Sequence, residues 1–323
     1  MSAKTCVIFA GQSIQETGMG IELLKLSSAR AAIERLKPSL GADLEALLAT
    51  TPDHELARTA NSQRAIHASH VAHWLAYKAA HPRLTLDGAI GHSMGVVAAL
   101  VAAGALSVED SGRFIAARAG AFAACCRDFT EPMGLAAVSA EDFSDVVESA
   151  GEVAGVSVAL WNTVGRGALG GTMAALEAYA RKAAAEDWPV KIKLLKVEGP
   201  YHTAAFEPAK AALRKALETI EVRSPMAPVF MGTSGKAETD PARIRELLVE
   251  QTTACERHLD AVRAAYAGGC RDFLEVSFKP QPLTWLAEQL VDAAGGKFPG
   301  VSSLAVTTAE LPLLCPVARA SAS

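Results

Sequence analysis

Leu86-Asp87-Gly88-Ala89-Ile90-Gly91-His92-Ser93-Met94-Gly95-Val96-Val97-Ala98-Ala99-Leu100 is the stretch around which the chain is organised. The apolar run ending at Ile90 reads as a buried strand, and the Ala/Val run after Ser93 reads as a helix. Between them Gly91-His92-Ser93-Met94-Gly95 is the G-x-S-x-G pattern of a nucleophile elbow. A tight turn here needs Gly91 and Gly95, because a side chain at either would collide with the neighbouring strand or helix. Such a turn pushes Ser93 Oγ out at the top of the sheet, at a helix N-terminus. There the backbone N–H of Met94 can face a developing oxyanion. An inert serine in a glycine-rich turn fits the same pattern, and it is the strand before and the helix after that favour the functional reading.

Outward from the elbow, composition sets the limits. The chain has 323 residues, half of them hydrophobic and 20% charged, which is a globular composition with room for a large core. A net charge of -4 without any Lys/Arg run argues against nucleic acid. No apolar run reaches the ~18–20 residues that span a bilayer, and the short apolar start does not form a signal peptide. No membrane role and a cytoplasmic location are expected. Cys6, Cys125, Cys126, Cys255, Cys270 and Cys315 lack C-x-x-C spacing and read as reduced thiols, mostly small buried hydrophobes. No metal site is expected.

Before the elbow, Thr5–Ala10 reads as a first strand. It runs into the glycine-punctuated loop Gly11-Gln12-Ser13-Ile14-Gln15, at the strand end where α/β sites form. Backbone N–H groups of that loop can supply a second oxyanion donor. Ile21–Leu48 reads as mostly helical with a break at Pro38. Asn61–Ala80 reads as a long helix carrying Gln63 and, at spacings of three, His67, His70 and His73, which are expected on a solvated or half-buried face. After the elbow, Ser107 is placed as N-cap of a helix that carries Arg118 among apolar residues. Arg118 is either a snorkelling surface arginine or a clamp for a carboxylate.

From Met133 to Val197 the order is β-α-β-β-α-β, with Asn162 at the first hairpin; this is the ferredoxin-like split unit. The chain then returns through Glu198-Gly199-Pro200-Tyr201-His202-Thr203. Pro200 bars an immediate helix, so His202 falls on a loop where a partner for Ser93 belongs. Glu198 and Glu207 flank it, but neither is placed as the third member of a triad; a backbone carbonyl can take that role. Further elements are a strand at Pro228–Gly232, helices at Asp240–Gln251 and Thr253–Ala267, a last strand at Cys270–Val276 and a short helix at Gln281–Asp292. The fold class is α/β: a large α/β-hydrolase-like domain with a parallel sheet and a nucleophile elbow (1–130 and 198–295), an inserted small ferredoxin-like α+β domain (131–197), and a loosely packed tail (296–323) held at most by its apolar patch Leu311–Leu314.

Taken together, these pieces resemble the malonyl-CoA:acyl carrier protein transacylase family and the related free-standing, trans-acting polyketide synthase acyltransferases. Gly11-Gln12-Ser13-Ile14-Gln15 resembles G-Q-G-S-Q, and Gly91–Gly95 resembles G-H-S-L-G. Val101–Ser107 resembles the segment that follows, and Arg118 falls at the family's R-G arginine. Asn162 with Gly170-Gly171, Tyr201-His202-Thr203 and Phe273-Leu274-Glu275-Val276 resemble three later motifs, so the likeness runs over about residues 4–290. It implies Ser93 as nucleophile and His202 as general base, with the backbone N–H groups of Gln12 and Met94 as oxyanion hole. It implies Arg118 on the free carboxylate of a malonyl group, and Gln63, His92, Asn162 and Tyr201 as substrate-binding residues. By alignment, the carbonyl of Arg257 would orient His202 Nδ1. No permanently bound cofactor is implied. Acyl-CoA is the donor, the phosphopantetheine of an acidic acyl carrier protein the acceptor, and a basic rim from Arg166, Lys191, Lys193, Lys196 and Lys279 would meet that protein.

The chain departs from the pattern in four places. Val96 stands for a glutamate, Ser13 for a glycine, Ser277-Phe278-Lys279 for G-P-G, and Tyr201 for a phenylalanine. An aromatic at 201 crowds a branched acyl group and favours malonyl. These differences point to a polyketide-pathway enzyme rather than a housekeeping fatty-acid one. They also admit an acyl hydrolase that clears stalled carrier proteins, although such an enzyme has no use for a buried cation at 118. A non-catalytic docking subunit is the remaining alternative.

Overall fold

The computed structural model describes residues 3–41, 44–291, 295–308, 310 and 311. Ten strands form two sheets. They are β1 (Lys4–Phe9), β2 (Gly88–Gly91), β3 (Met133–Ser139), β4 (Val156–Thr163), β5 (Arg166–Thr172), β6 (Lys191–Leu194), β7 (Val229–Met231), β8 (Lys236–Glu238), β9 (Cys270–Val276) and β10 (Ser302–Val306). The first sheet has the order β10-β9-β1-β2-β7-β8 and is parallel apart from β8. The second has the order β4-β5-β3-β6, with every neighbouring pair antiparallel.

The apolar runs in β1 and β2 follow from covering the parallel sheet on both faces. Val7 and Phe9 face one cluster, packed under the helices Ser27–Leu40, Thr59–Ala80 and Gly95–Ala102. Cys6, Ile8 and Ile90 face the other, under the helix His258–Ala267 and Leu286. In the second sheet Ala136, Val138 and Leu169 pack on the helices Phe143–Ala150 and Met173–Ala185. Leu135 and Ala159 instead join Phe122, Tyr201 and Phe206. That second cluster fastens the small sheet to the long helix Val108–Asp128 and to the His202 loop.

Three expectations need correction. Residues 296–323 are not simply a loose tail: β10 adds a parallel strand beside β9, and Leu311 is fully buried. The rest of the apolar patch, 312–314, and Cys315 lie outside the described residues. His67, His70 and His73 are not on a solvated face; all three are completely buried. His67 pairs with Ser111 Oγ at 2.9 Å, His70 Nε2 donates to the carbonyl of Ala10 at 3.0 Å, and His73 bonds the Ser69 carbonyl and Thr308 Oγ1, each at 2.7 Å. Burial pushes their pKa values down to about 3, 4 and 4, so the rings stay neutral. Pro38 sits inside the last turn of Ser27–Leu40, whose end is set by Gly41 at φ 72°.

Ser107 caps the helix Val108–Asp128, its Oγ accepting the Asp110 N–H at 2.9 Å. At the elbow, the two glycines are spaces. A Cβ on Gly91 would lie 2.0 Å from the Val96 nitrogen. One on Gly95 would lie 2.5 Å from the carbonyl oxygens of both Phe9 and Ala10. Backbone cannot move aside as a side chain can. Gly95→Ala is therefore expected to cost about 3 kcal/mol of stability, read as a lowered denaturation midpoint; an unchanged midpoint would contradict the close approach.

Candidate active site

Ser93 takes φ 51°, a left-handed conformation that costs a non-glycine residue about 1–2 kcal/mol. The sharp turn between β2 and the helix Gly95–Ala102 imposes it, and it aims Oγ into the cleft between the two sheets. His202 is likewise left-handed, at φ 63°, on the loop that follows Pro200. Across 109 residues of chain, Ser93 Oγ and His202 Nε2 meet at 2.8 Å.

The other face of the ring fixes the tautomer. His202 Nδ1 lies 2.9 Å from the carbonyl oxygen of Gln251. A carbonyl only accepts, so Nδ1 carries the hydrogen and Nε2 presents its lone pair to the Ser93 hydroxyl. Burial, helped by the Arg118 charge and the His92 ring, brings the His202 pKa down to about 3. The imidazole is thus a free base at neutral pH.

The orienting carbonyl belongs to Gln251, and the expectation of Arg257 is corrected. Arg257 caps the helix His258–Ala267, and its carbonyl is engaged by the N–H groups of Asp260 at 3.1 Å and Ala261 at 3.2 Å. Its own N–H donates to Gly232. Nothing of its backbone is left for His202. Gln251 is the functional residue that the sequence reading missed. Besides offering its carbonyl, its side-chain Nε2 donates to the Ser93 carbonyl at 3.0 Å.

The backbone N–H groups of Gln12 and Met94 donate to no protein acceptor among the described residues. Met94 directly precedes the helix Gly95–Ala102, and Gln12 follows β1 on the neighbouring loop. His92 Nε2 donates to Asn162 Oδ1 at 2.9 Å, which ties the elbow to β4 of the second sheet. Burial lowers the His92 pKa to about 4, and the ring is neutral.

Gln12, His92, Asn162 and Tyr201 line a cleft of about 290 Å³ together with Ser93 and His202. Leu135, Leu160 and Val197 give it an apolar wall from the small sheet. Gln63 does not line it as expected; it lies against Arg118 instead. Arg118 Nη1 donates to Gln63 Oε1 at 2.6 Å, and Gln63 Nε2 donates to Thr59 Oγ1 at 3.0 Å. The guanidinium stacks 4.2 Å above the Phe122 ring. It is 2% exposed and forms no ion pair among the described residues, so it does not snorkel. Burial lowers its pKa to about 10, which leaves it charged.

Tyr201 is held between Phe122 and Phe206, with ring centroids 5.8 and 5.2 Å away. Burial pushes its hydroxyl up to about 12. Of the basic rim, Lys196 lines the cleft. Arg166 is paired with Glu288 at 2.7 Å and Lys279 with Glu16 at 3.4 Å, while Lys191 and Lys193 are exposed on β6. No group of three His, Cys, Asp or Glu side chains able to hold a metal occurs among the described residues. Nor is any described helix long and apolar enough to cross a membrane.

The chain as a whole resembles known proteins. Residues 6–301 match the acyl transferase domain family. The malonyl CoA-acyl carrier protein transacylase of Haemophilus influenzae is 30% identical over 278 residues, which is 84% of this chain and 88% of that protein. The solved acyl-carrier-protein-S-malonyltransferase of Bartonella henselae superposes with a TM-score of 0.85 at 29% identity, covering 95% of this chain and 96% of that one. The acyltransferase domain from the second module of the salinomycin polyketide synthase gives a TM-score of 0.84 at 27% identity, over 98% of this chain and 72% of that one. With a match that covers residues 6–301 and all of the cleft between the sheets, the chain belongs to the acyl transferase domain family.

Proposed function

We propose that this enzyme moves a malonyl group from malonyl-CoA, through an ester on Ser93, to the phosphopantetheine thiol of an acyl carrier protein in fatty acid or polyketide biosynthesis. The observation that carries the reading is the 2.8 Å contact of Ser93 Oγ with a histidine whose tautomer is set to accept a proton. Ser93 Oγ attacks the thioester carbonyl carbon while its proton passes to His202 Nε2. The oxyanion sits on the unengaged N–H groups of Gln12 and Met94. Such a donor is typically worth about 2.7–4 kcal/mol in the transition state. When the C–S bond breaks, His202 returns the proton to sulfur and CoA leaves as its thiol. The pantetheine thiol then attacks the ester and gives its proton to His202. Collapse of the second intermediate breaks the C–Oγ bond, and the proton goes back to Ser93.

Arg118 supports malonyl over a neutral acyl group. A buried guanidinium with no counter-ion at hydrogen-bond distance is costly unless an anion completes it. A carboxylate does so bidentately. Gln63 holds the guanidinium in place. His92, through Asn162, stiffens the cleft wall, and Tyr201 crowds a substituent on the acyl α-carbon. No permanent cofactor takes part. The partner is an acidic carrier protein, met by Lys191, Lys193 and Lys196, and the enzyme works in the cytoplasm without nucleic acid or membrane.

The strand order and antiparallel pairing of the second sheet support a ferredoxin-like unit over 131–197. The elbow on a parallel sheet supports an α/β-hydrolase-like body from 1–130 and 198–295, extended by β10.

Two measurements test the reading. Protein loaded from malonyl-CoA and then mixed with carrier protein should yield malonyl carrier protein; rapid release of free malonate instead would make it a hydrolase, and no loading at all a docking subunit. Arg118→Ala should slow malonyl loading by roughly 10- to 100-fold, the loss of about 1.5–3 kcal/mol from hydrogen bonds to a charged group. Acetyl loading should be spared, and equal loss of both would remove the clamp.

A further inference from the structure

We propose that Glu256 is a positioning residue that acts through Gln251, and that its negative charge balances the imidazolium formed on His202 when Ser93 is acylated. The inference rests on the Ser93/His202 reading above. Sequence alone offers no acid next to His202, and none among the described residues bonds the ring. One lies a residue further out. Gln251 accepts the His202 Nδ1 hydrogen on its carbonyl, and its side-chain Nε2 reaches both the Ser93 carbonyl at 3.0 Å and Glu256 Oε2 at 3.3 Å. Glu256 is therefore bonded to a residue that touches both the backbone of the nucleophile and the ring of the base.

The carboxylate is built in rather than tolerated. It is completely buried, and its Oε1 has no hydrogen-bond partner among the described residues. A buried carboxylate with one oxygen left unbonded is expensive. The chain makes room for it. A Cβ at Gly232 would lie 2.0 Å from Oε1, so a side chain there would displace the carboxylate. It also holds the backbone at this point. The Glu256 N–H donates to the Ala159 carbonyl and its own carbonyl accepts the Trp161 N–H, both at 2.9 Å, a short parallel bridge to β4. Glu256 thus sits where the loop behind the catalytic pair is pinned to the small sheet.

Its charge has a task. His202 is held near about 3 by burial and by the Arg118 charge, so its protonated form is disfavoured during attack by Ser93. Arg118, on the helix Val108–Asp128, is the cation that faces Glu256, and Cys255 is the titratable neighbour beside it in the chain. A carboxylate on the far side of Gln251 offsets both the Arg118 charge and the transient imidazolium. Burial raises the Glu256 pKa to about 7, and the Ser93 and Gln251 N–H groups pull it part of the way back. The charged form is thus gained as pH rises through neutrality. His202 itself titrates far lower, so the acid limb near pH 7 in the acylation rate is expected from Glu256.

The test is rapid-quench acylation of the full chain by malonyl-CoA from pH 5.5 to 8.5. Wild type should rise about tenfold to a plateau. Glu256→Gln keeps the shape and the hydrogen-bond reach to Gln251 but not the charge. It should stay near the wild-type low-pH rate throughout, with KM within about twofold. Glu256→Asp should restore part of the rise. Glu275 also sits near about 7, but it faces the turn at Gln281 and Leu283, and a limb due to it would survive in Glu256→Gln. A Glu256→Gln profile that matches wild type overturns the proposal. If that variant does not fold, a wild-type rate flat across this range overturns it equally. Failure of wild type to acylate, or acylation that persists in Ser93→Ala, sinks the Ser93/His202 reading instead, so the two failures are distinct.

Discussion

Ser93→Ala is expected to slow transfer of malonyl to carrier protein by about 10⁶-fold, while the denaturation midpoint stays at or above that of wild type. The size of the loss follows from the chemistry. Without Oγ there is no covalent intermediate, and the histidine and the N–H groups of Gln12 and Met94 are left with nothing to activate. What remains is binding and positioning over the uncatalysed exchange of one thiol for another. Stability should not fall, because the hydroxyl's one partner among the described residues is His202 Nε2 and the cleft is open to water on that side. The strained φ of 51° persists in the alanine variant. Steady-state transfer with radiolabelled malonyl-CoA reads the first quantity and a denaturant melt the second. A residual rate within a hundredfold of wild type would mean that another nucleophile carries the acyl group.

His202→Ala is expected to cost about 10⁴-fold, somewhat less than loss of the serine. A serine hydroxyl titrates far above neutral pH and needs its proton removed as the bond to carbon forms. His202 is arranged for that one task. It is neutral at any pH above its value of about 3, and its Nδ1 hydrogen is committed to the Gln251 carbonyl. The truncated side chain leaves a hole of imidazole shape beside Ser93. Added imidazole should therefore recover part of the acylation rate, in proportion to its neutral form. A His202→Ala enzyme that acylates at the wild-type rate would assign the base to another group. The nearest alternative is His92, whose Nε2 is already spent on Asn162.

Side chains with distinctive chemistry made most of this site legible in the sequence. The elbow could be read because a strand, two glycines and a helix must follow one another at fixed spacing, and Gly91 and Gly95 are where the backbone leaves no room for a Cβ. His202 could be read because Pro200 forces a loop after the small unit. Gln251 could not, since a carbonyl is the same on every residue; only the fold shows which one reaches Nδ1. The family alignment pointed six residues too far, to Arg257, whose backbone is consumed by starting a helix.

The buried histidines were misread for a related reason. A polar residue every third position looks like a wet face until each ring is seen to find its partner inside, His73 among them through Thr308 beyond β10. β10 itself has no periodic signal: Ser302 and Ser303 are exposed, Leu304 is 54% exposed, and what makes a strand of them is the waiting edge of β9. Glu256 was passed over because nothing in a sequence separates a carboxylate bound for solvent from one sealed behind Gln251.

Covalent catalysis by Ser93 is tested by quenching the enzyme within one turnover of mixing with malonyl-CoA, digesting it, and locating the acyl group by mass. A malonyl ester is expected on the peptide carrying Ser93 and on no other, discharged when carrier protein is added. A malonyl group found instead on a cysteine such as Cys126, or a Ser93 peptide that stays unmodified while transfer proceeds, would contradict it.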